Sequence, residues 1–136
     1  MAASNPHRRL FALESRALAQ AQTVRELLAP RLHEVLALSD VTAWVAANDS
    51  LAFVLLDFLR DARVDVPDRL SVVGFDDTPG AFTSGLTSYN FNAGLFAQRM
   101  LEHVLSPSVG RPGRKPDWIE VPGFVAERAT SGQAKR

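Results

Sequence analysis

Two adjacent aspartates, Asp76 and Asp77, close the run RLSVVGFDD, and Asn48 and Asp49 close the run VTAWVAAND. Each pair ends a stretch of apolar, β-branched residues of the kind that forms a strand buried on both faces. Three carboxylates and an amide, with hydroxyls nearby at Thr78, Thr83, Ser84 and Thr87, supply acceptors and reorientable donors suited to the vicinal hydroxyls of a sugar or nucleoside. Phe75 and Phe82 add apolar faces against which a ring can pack. A magnesium site on Asp49, Asp76 and Asp77 is the rival reading, because hard cations take oxygen ligands. Phosphoryl transfer would also need phosphate-cradling amides or a positioned lysine. Gly74, Gly80 and Gly85 match neither the dinucleotide fingerprint nor the P-loop, and Lys115 and Lys135 are the only lysines.

The same residues have structural roles open to them. Asp49 stands at a strand-to-helix junction and reads as the cap of the helix that follows. Asp77, ahead of Thr78-Pro79-Gly80, suits a turn as well as a ligand contact. Asn48 and Asp76 directly end their strands, which makes them the stronger ligand candidates, although strand termination alone would also account for them. Elsewhere the chemistry is thin. His7, His33 and His103 have no partner at metal-binding spacing and read as exposed helix residues. Ser50 lacks the G-x-S-x-G elbow and a recognisable histidine to activate it. Trp44 and Trp118 fall within strand patterns and read as core or interface residues.

The elements that would position the two polar pairs follow from periodicity. From about Arg8 to Leu38, apolar residues recur at three-and-four spacing, a helical pattern interrupted by Pro30, which is expected to kink it or to open a second helix. After the first strand, Leu51, Ala52, Leu55, Leu56 and Leu59 form the inward stripe of a helix ending near Ala62. VDVPDR turns the chain, and LSVVGF is the second buried strand. Strand, helix and strand with tight links make a βαβ unit. In such a parallel sheet ligands bind beyond the carboxyl ends of the strands, so both polar pairs emerge at one edge.

DDTPGAFTSGLTSYNFNAG reads as loop and turn, and Leu95, Phe96, Met100, Leu101, Val104 and Leu105 mark another amphipathic helix. SPSVGRPGRKP reads as a solvated linker, and DWIEVPGFVAER as a strand whose Pro122-Gly123 suggests an edge position or a bulge. The expected organisation is a helical segment at 1–38, an α/β ligand-binding part at 39–131 and a flexible tail at 132–136, built on a doubly wound parallel sheet.

Composition bounds the function. A chain of 136 residues, 46% apolar and 22% charged, fits one globular domain. Fifteen basic residues balance fifteen acidic ones, so no overall field gathers nucleic acid or an anionic membrane surface. The absence of cysteine removes disulfides, thiolate zinc sites and cysteine nucleophiles, and fits a reducing compartment. Leu51 to Leu59, the longest nearly apolar stretch, contains Asp57 and is too short for a bilayer. The start has no apolar signal core. A cytoplasmic protein with no membrane partner and no cofactor or metal is expected.

VTAWVAANDSLAFVLLDFLRDARVDVPDRLSVVGFDDTPGAFTSGLTSYNFNAG, followed by a helix and EVPGFVAERATSG, resembles the carboxyl-terminal part of LacI/GalR-family transcriptional regulators, from about Thr23 to Ser131. The resemblance is carried by the order and spacing of four motifs. They are the strand ending in Asn-Asp, the VP-D-SVVGFDD segment, the Leu-Thr step, and an arginine followed by Thr-Ser near the end.

It implies a small-molecule effector, often a sugar or nucleobase and here expected to be a sugar, bound between two α/β subdomains of the periplasmic-binding-protein type. Asn48 and Asp76 then meet effector hydroxyls, Phe75 and Asp77 flank that contact, and Asp49 caps the following helix. It also implies a homodimer, no catalysis, and DNA binding only through an amino-terminal domain that this sequence does not contain. The expectation is therefore a sensing and dimerisation fragment. The LTSYNFN variant is also similar to sensor domains joined to a GntR-type winged helix, so the type of DNA-reading head stays open. The alternatives are an extracytoplasmic sugar-binding protein, which needs an export signal, and a magnesium-dependent enzyme using the three aspartates.

Overall fold

The computed structural model describes residues 6–105 and 118–134, with side chains from residue 19 onward. The chain opens with α1 (Pro6–Leu36), one uninterrupted helix. Pro30 lies inside it and neither breaks it nor starts a second helix. The missing backbone donor falls on the helix face turned to water, while Ala29, Leu32 and Leu36 pack against the core and hold the helix across that position.

The βαβ unit follows as expected: β1 (Ala43–Val45), α2 (Asp49–Asp61) and β2 (Ser71–Phe75). The segment expected to be loop instead holds a short helix, α3 (Pro79–Ser84), and a strand, β3 (Thr87–Asn90). α4 (Ala93–Leu105) and the edge strand β4 (Phe124–Ala126) complete the described chain. SPSVGRPGRKP lies outside the described residues. The sheet order is β1-β2-β3-β4, with β1, β2 and β3 parallel and β4 antiparallel to β3. This is a mixed α/β fold on a mostly parallel sheet.

Of the two missed elements, α3 had local signals. Thr78 Oγ1 accepts from the Ala81 amide at 3.3 Å, Pro79 occupies the first turn, and Gly85 closes α3 in the left-handed region at φ 71°. β3 escaped notice because its buried residues, Thr87 and Ser88, are polar rather than apolar, so no hydrophobic run marks it.

The core comprises Trp44, Ala46, Ala52, Phe58, Leu59, Leu70, Val72, Ala81 and Leu86. It lies between the sheet and the α1–α2 layer, and burying Phe58 or Leu59 is worth about 1.5–3 kcal/mol each. The inward face of α2 is turned slightly from the expected stripe, burying Ala52, Val54, Phe58 and Leu59. β1 is not buried on both faces. Trp44 is buried in the core whereas Val45 is 67% exposed, so among the described residues only one face of this strand is covered. Only Phe124–Ala126 of the expected final strand pairs, at the sheet edge. Gly123 precedes it because a Cβ there would lie 2.6 Å from the Asn90 carbonyl oxygen.

Candidate functional site at the carboxyl edge of the sheet

The capping role expected of Asp49 falls to Asn48. Asn48 is the cap of α2: its backbone is extended, and its Oδ1 accepts from the Leu51 amide at 2.9 Å. Asp49 is the first helical residue and is 1% exposed. Its Oδ2 accepts from the Thr78 amide at 2.7 Å and from the Thr78 hydroxyl at 2.9 Å. Its Oδ1 accepts from the Ser88 hydroxyl at 2.6 Å. Position 74 must be glycine for this carboxylate to fit, since a Cβ there would stand 2.4 Å from Asp49 Oδ1. Asp49 thus ties α2, the turn after β2 and β3 together from inside.

The turn after β2 divides its two aspartates. Asp76 and Asp77 have φ values of 105° and 48°, in the left-handed region that costs non-glycine residues free energy. Their backbones are pinned: the Asp76 amide donates to the Tyr89 carbonyl at 3.0 Å, and the Asp77 amide to Ser88 Oγ at 3.0 Å. The side chain of Asp76 is exposed at the edge.

The Asp77 side chain is 12% exposed and committed to the protein. Its Oδ2 accepts from Asn90 Nδ2 at 2.8 Å, and its Oδ1 from Arg128 Nη2 at 2.5 Å. The Asn90 hydrogen bond, and after it the Arg128 contact and charge, hold the Asp77 carboxyl below its usual range against the opposing effect of burial.

Phe75 forms an aromatic cluster with Tyr89 and Phe91, at centroid distances of 5.5 and 6.0 Å. Phe91 packs edge-on to Tyr89 at 5.1 Å and stays half open to solvent. Phe82 does not join this face. It lies under the Arg128 guanidinium, 5.7 Å from ring centroid to Cζ.

Sequence reasoning missed Asn90 and gave Arg128 no role. Both come from elements distant in sequence, so nothing in their spacing announces the contact with Asp77. Thr130 is a third such residue. Its hydroxyl donates to the Val72 carbonyl at 2.7 Å and accepts from the Thr87 amide at 2.9 Å, lacing β2 to β3. Gly132, expected in the flexible tail, donates to Ser71 Oγ at 3.2 Å.

The edge therefore presents Asp76, the amide of Asn48 and an aromatic face at Phe75, Tyr89 and Phe91. The three aspartates do not converge. Among the described residues no three His, Cys, Asp or Glu side chains group as a metal set. No helix among them is long and apolar enough to cross a membrane.

A profile of the periplasmic binding protein-like domain matches residues 2–131. The HTH-type transcriptional regulator MalR of Streptomyces coelicolor is 33% identical over 94 residues, which cover 68% of this chain and 27% of that protein. A LacI transcriptional regulator from a Rhodococcus species superposes with a TM-score of 0.60 at 30% identity, over 74% of this chain and 38% of the other. The Lac repressor dimer bound to operator and the anti-inducer ONPF gives 0.55 at 26% identity, over 66% and 32%. The chain thus spans a third or so of the regulators it matches.

Proposed function

This chain belongs to the periplasmic binding protein-like domain family, in the form carried by LacI-type transcriptional regulators, and from that membership we propose that it is the effector-sensing and dimerisation part of a cytoplasmic DNA-binding regulator. It forms one wall of an effector cleft, and it contacts DNA only through a domain outside this sequence. It carries out no catalysis.

The observation that supports the reading best is the contrast at the edge. Asp49 and Asp77 are consumed by internal hydrogen bonds, whereas the Asp76 side chain is exposed, on a turn that directly follows Phe75 and whose amide donates to the carbonyl of Tyr89, two members of the aromatic cluster. A carboxylate next to an aromatic face suits a sugar, which offers hydroxyls to the first and C–H faces to the second. Asn48 contributes through its amide nitrogen, since its Oδ1 is occupied by the cap.

A thermal-shift titration with mono- and disaccharides tests this, because a ligand of the native state raises the melting temperature. Asp76→Ala should abolish a saccharide-specific shift and Asn48→Ala should weaken it. A shift that survives Asp76→Ala removes this edge as the effector site.

A further inference from the structure

Asp76 is useful to a ligand only if the strained turn that carries it is held, and the holding groups lie elsewhere in the chain. We propose that Arg128 and Asn90 are positioning residues for the effector site, acting through Asp77 to fix the left-handed Asp76-Asp77 turn and so aim the Asp76 carboxylate outward. The inference rests on the reading that this edge meets the effector.

Two successive non-glycine residues at φ 105° and 48° do not persist unless their surroundings over-determine them. The surroundings here are specific. Asn90 sits at the end of β3, where its Nδ2 holds Asp77 Oδ2 while its Oδ1 accepts from the Asn92 amide at 2.7 Å. Arg128, just beyond β4, reaches Asp77 Oδ1 with one nitrogen and the Leu86 carbonyl with another at 2.7 Å. Its backbone amide donates to Thr87 Oγ1 at 2.9 Å.

A guanidinium can serve two acceptors in fixed directions, which an ammonium cannot. With both Asp77 oxygens engaged from β3 and from the segment after β4, the backbone of the turn, and with it the direction in which the Asp76 side chain leaves the chain, is held. Arg128 needs no contact with the effector to influence its binding. A displacement of the segment after β4 would be transmitted to Asp76 through this ion pair.

Amide hydrogen exchange on the intact chain, with and without maltose, L-arabinose or D-galactose, provides the test for Asp77→Asn, Arg128→Ala and Arg128→Lys. The expected result is exchange at positions 76, 77 and 78 faster by about ten-fold or more in Asp77→Asn, with the Ala46 amide, bonded to the Val73 carbonyl, unchanged. Arg128→Lys should fall between wild type and Arg128→Ala. If Arg128→Ala fails to fold, Asp77→Asn decides alone.

Unchanged exchange in the turn, or acceleration at Ala46 equal to that in the turn, overturns the inference, since a merely structural role loosens everything together. Undiminished saccharide affinity in a variant whose turn has loosened also overturns it. A loosened turn in a chain whose wild type binds no saccharide overturns the sugar-effector reading while leaving the positioning role supported.

Discussion

α2 and α4 are both thirteen residues long and amphipathic, yet they meet opposite fates. α2 buries Asp49, Ala52, Val54, Phe58 and Leu59, whereas α4 buries no residue at all. Phe96, Met100, Leu101, Val104 and Leu105 of α4 are all more than half exposed. Topology explains the first case. A helix linking two adjacent parallel strands must cross over their sheet, so α2 has its partner fixed by the chain itself. α4 links β3 to an antiparallel edge strand, and that connection imposes no such docking. An apolar stripe tells that a helix has a face to cover, not that the cover lies within the same chain.

The contrast breaks most readily at Leu59, which is fully buried under the α2 layer. Leu59→Ala should lower stability by about 2–5 kcal/mol, as lost transfer free energy and cavity terms add. Urea denaturation reads this as a lower midpoint with an unchanged slope. A loss below about 1 kcal/mol would mean that α2 is no better packed than α4.

Asp49 tests whether α2 is held by polar contacts as well as by its apolar face. Asp49→Ala leaves the Thr78 amide, the Thr78 hydroxyl and the Ser88 hydroxyl without their acceptor. Buried donors left unmet should cost on the order of 3 kcal/mol in all, measured by the same denaturation. Gly74→Ala strikes that carboxylate from the other side, with its new methyl 2.4 Å from Asp49 Oδ1. A loss of about 1–3 kcal/mol is expected, and combining it with Asp49→Ala should give less than the sum, because the clash disappears with the carboxylate.

Asp77 links the rim to the body of the sheet, and acid should reveal the link. Its folded-state carboxyl titrates below the usual carboxylate value near 4. Its contribution is therefore complete above the unfolded-state value and is lost as the pH falls through the folded-state value. The stability difference between wild type and Asp77→Asn should be largest near neutral pH and shrink progressively below about pH 4. A difference that stays constant down to pH 3 would place the Asn90 and Arg128 contacts outside the stability of the turn.

Much of this was legible in the sequence, and the parts that were not share a physical reason. The βαβ unit was readable because its strands are apolar runs and its helix keeps a helical period. The carboxyl-edge location of Asn48 and Asp76 followed from the parallel topology alone. The division of labour within each pair did not. Whether Asn48 or Asp49 caps α2 is decided by one backbone dihedral, and the two residues have similar capping strength. The commitment of Asp77 to internal contacts was not readable because the groups that claim it, Asn90 and Arg128, come from 13 and 51 residues away. β3 was hidden because buried hydroxyls replace buried hydrocarbon in its first two residues.

The smallest effects belong to α4, and they carry the other half of the comparison. Leu101 is 62% exposed, and a methylene removed from a water-facing side chain forfeits neither packing nor a cavity. Leu101→Ala should stay within about 0.5 kcal/mol of wild type, and Leu101→Glu likewise, since a charge there needs no desolvation. The variants should differ from wild type in what the bare face does. Fluorescence of a hydrophobic dye bound to the native chain should fall in Leu101→Glu while the melting temperature holds, because the charge would interrupt the exposed apolar run that Leu101 makes with Val104 and Leu105, three and four residues on. A drop of several degrees in melting temperature for Leu101→Glu would instead show that α4 is covered in solution, and its likeness to α2 would then extend from pattern to packing.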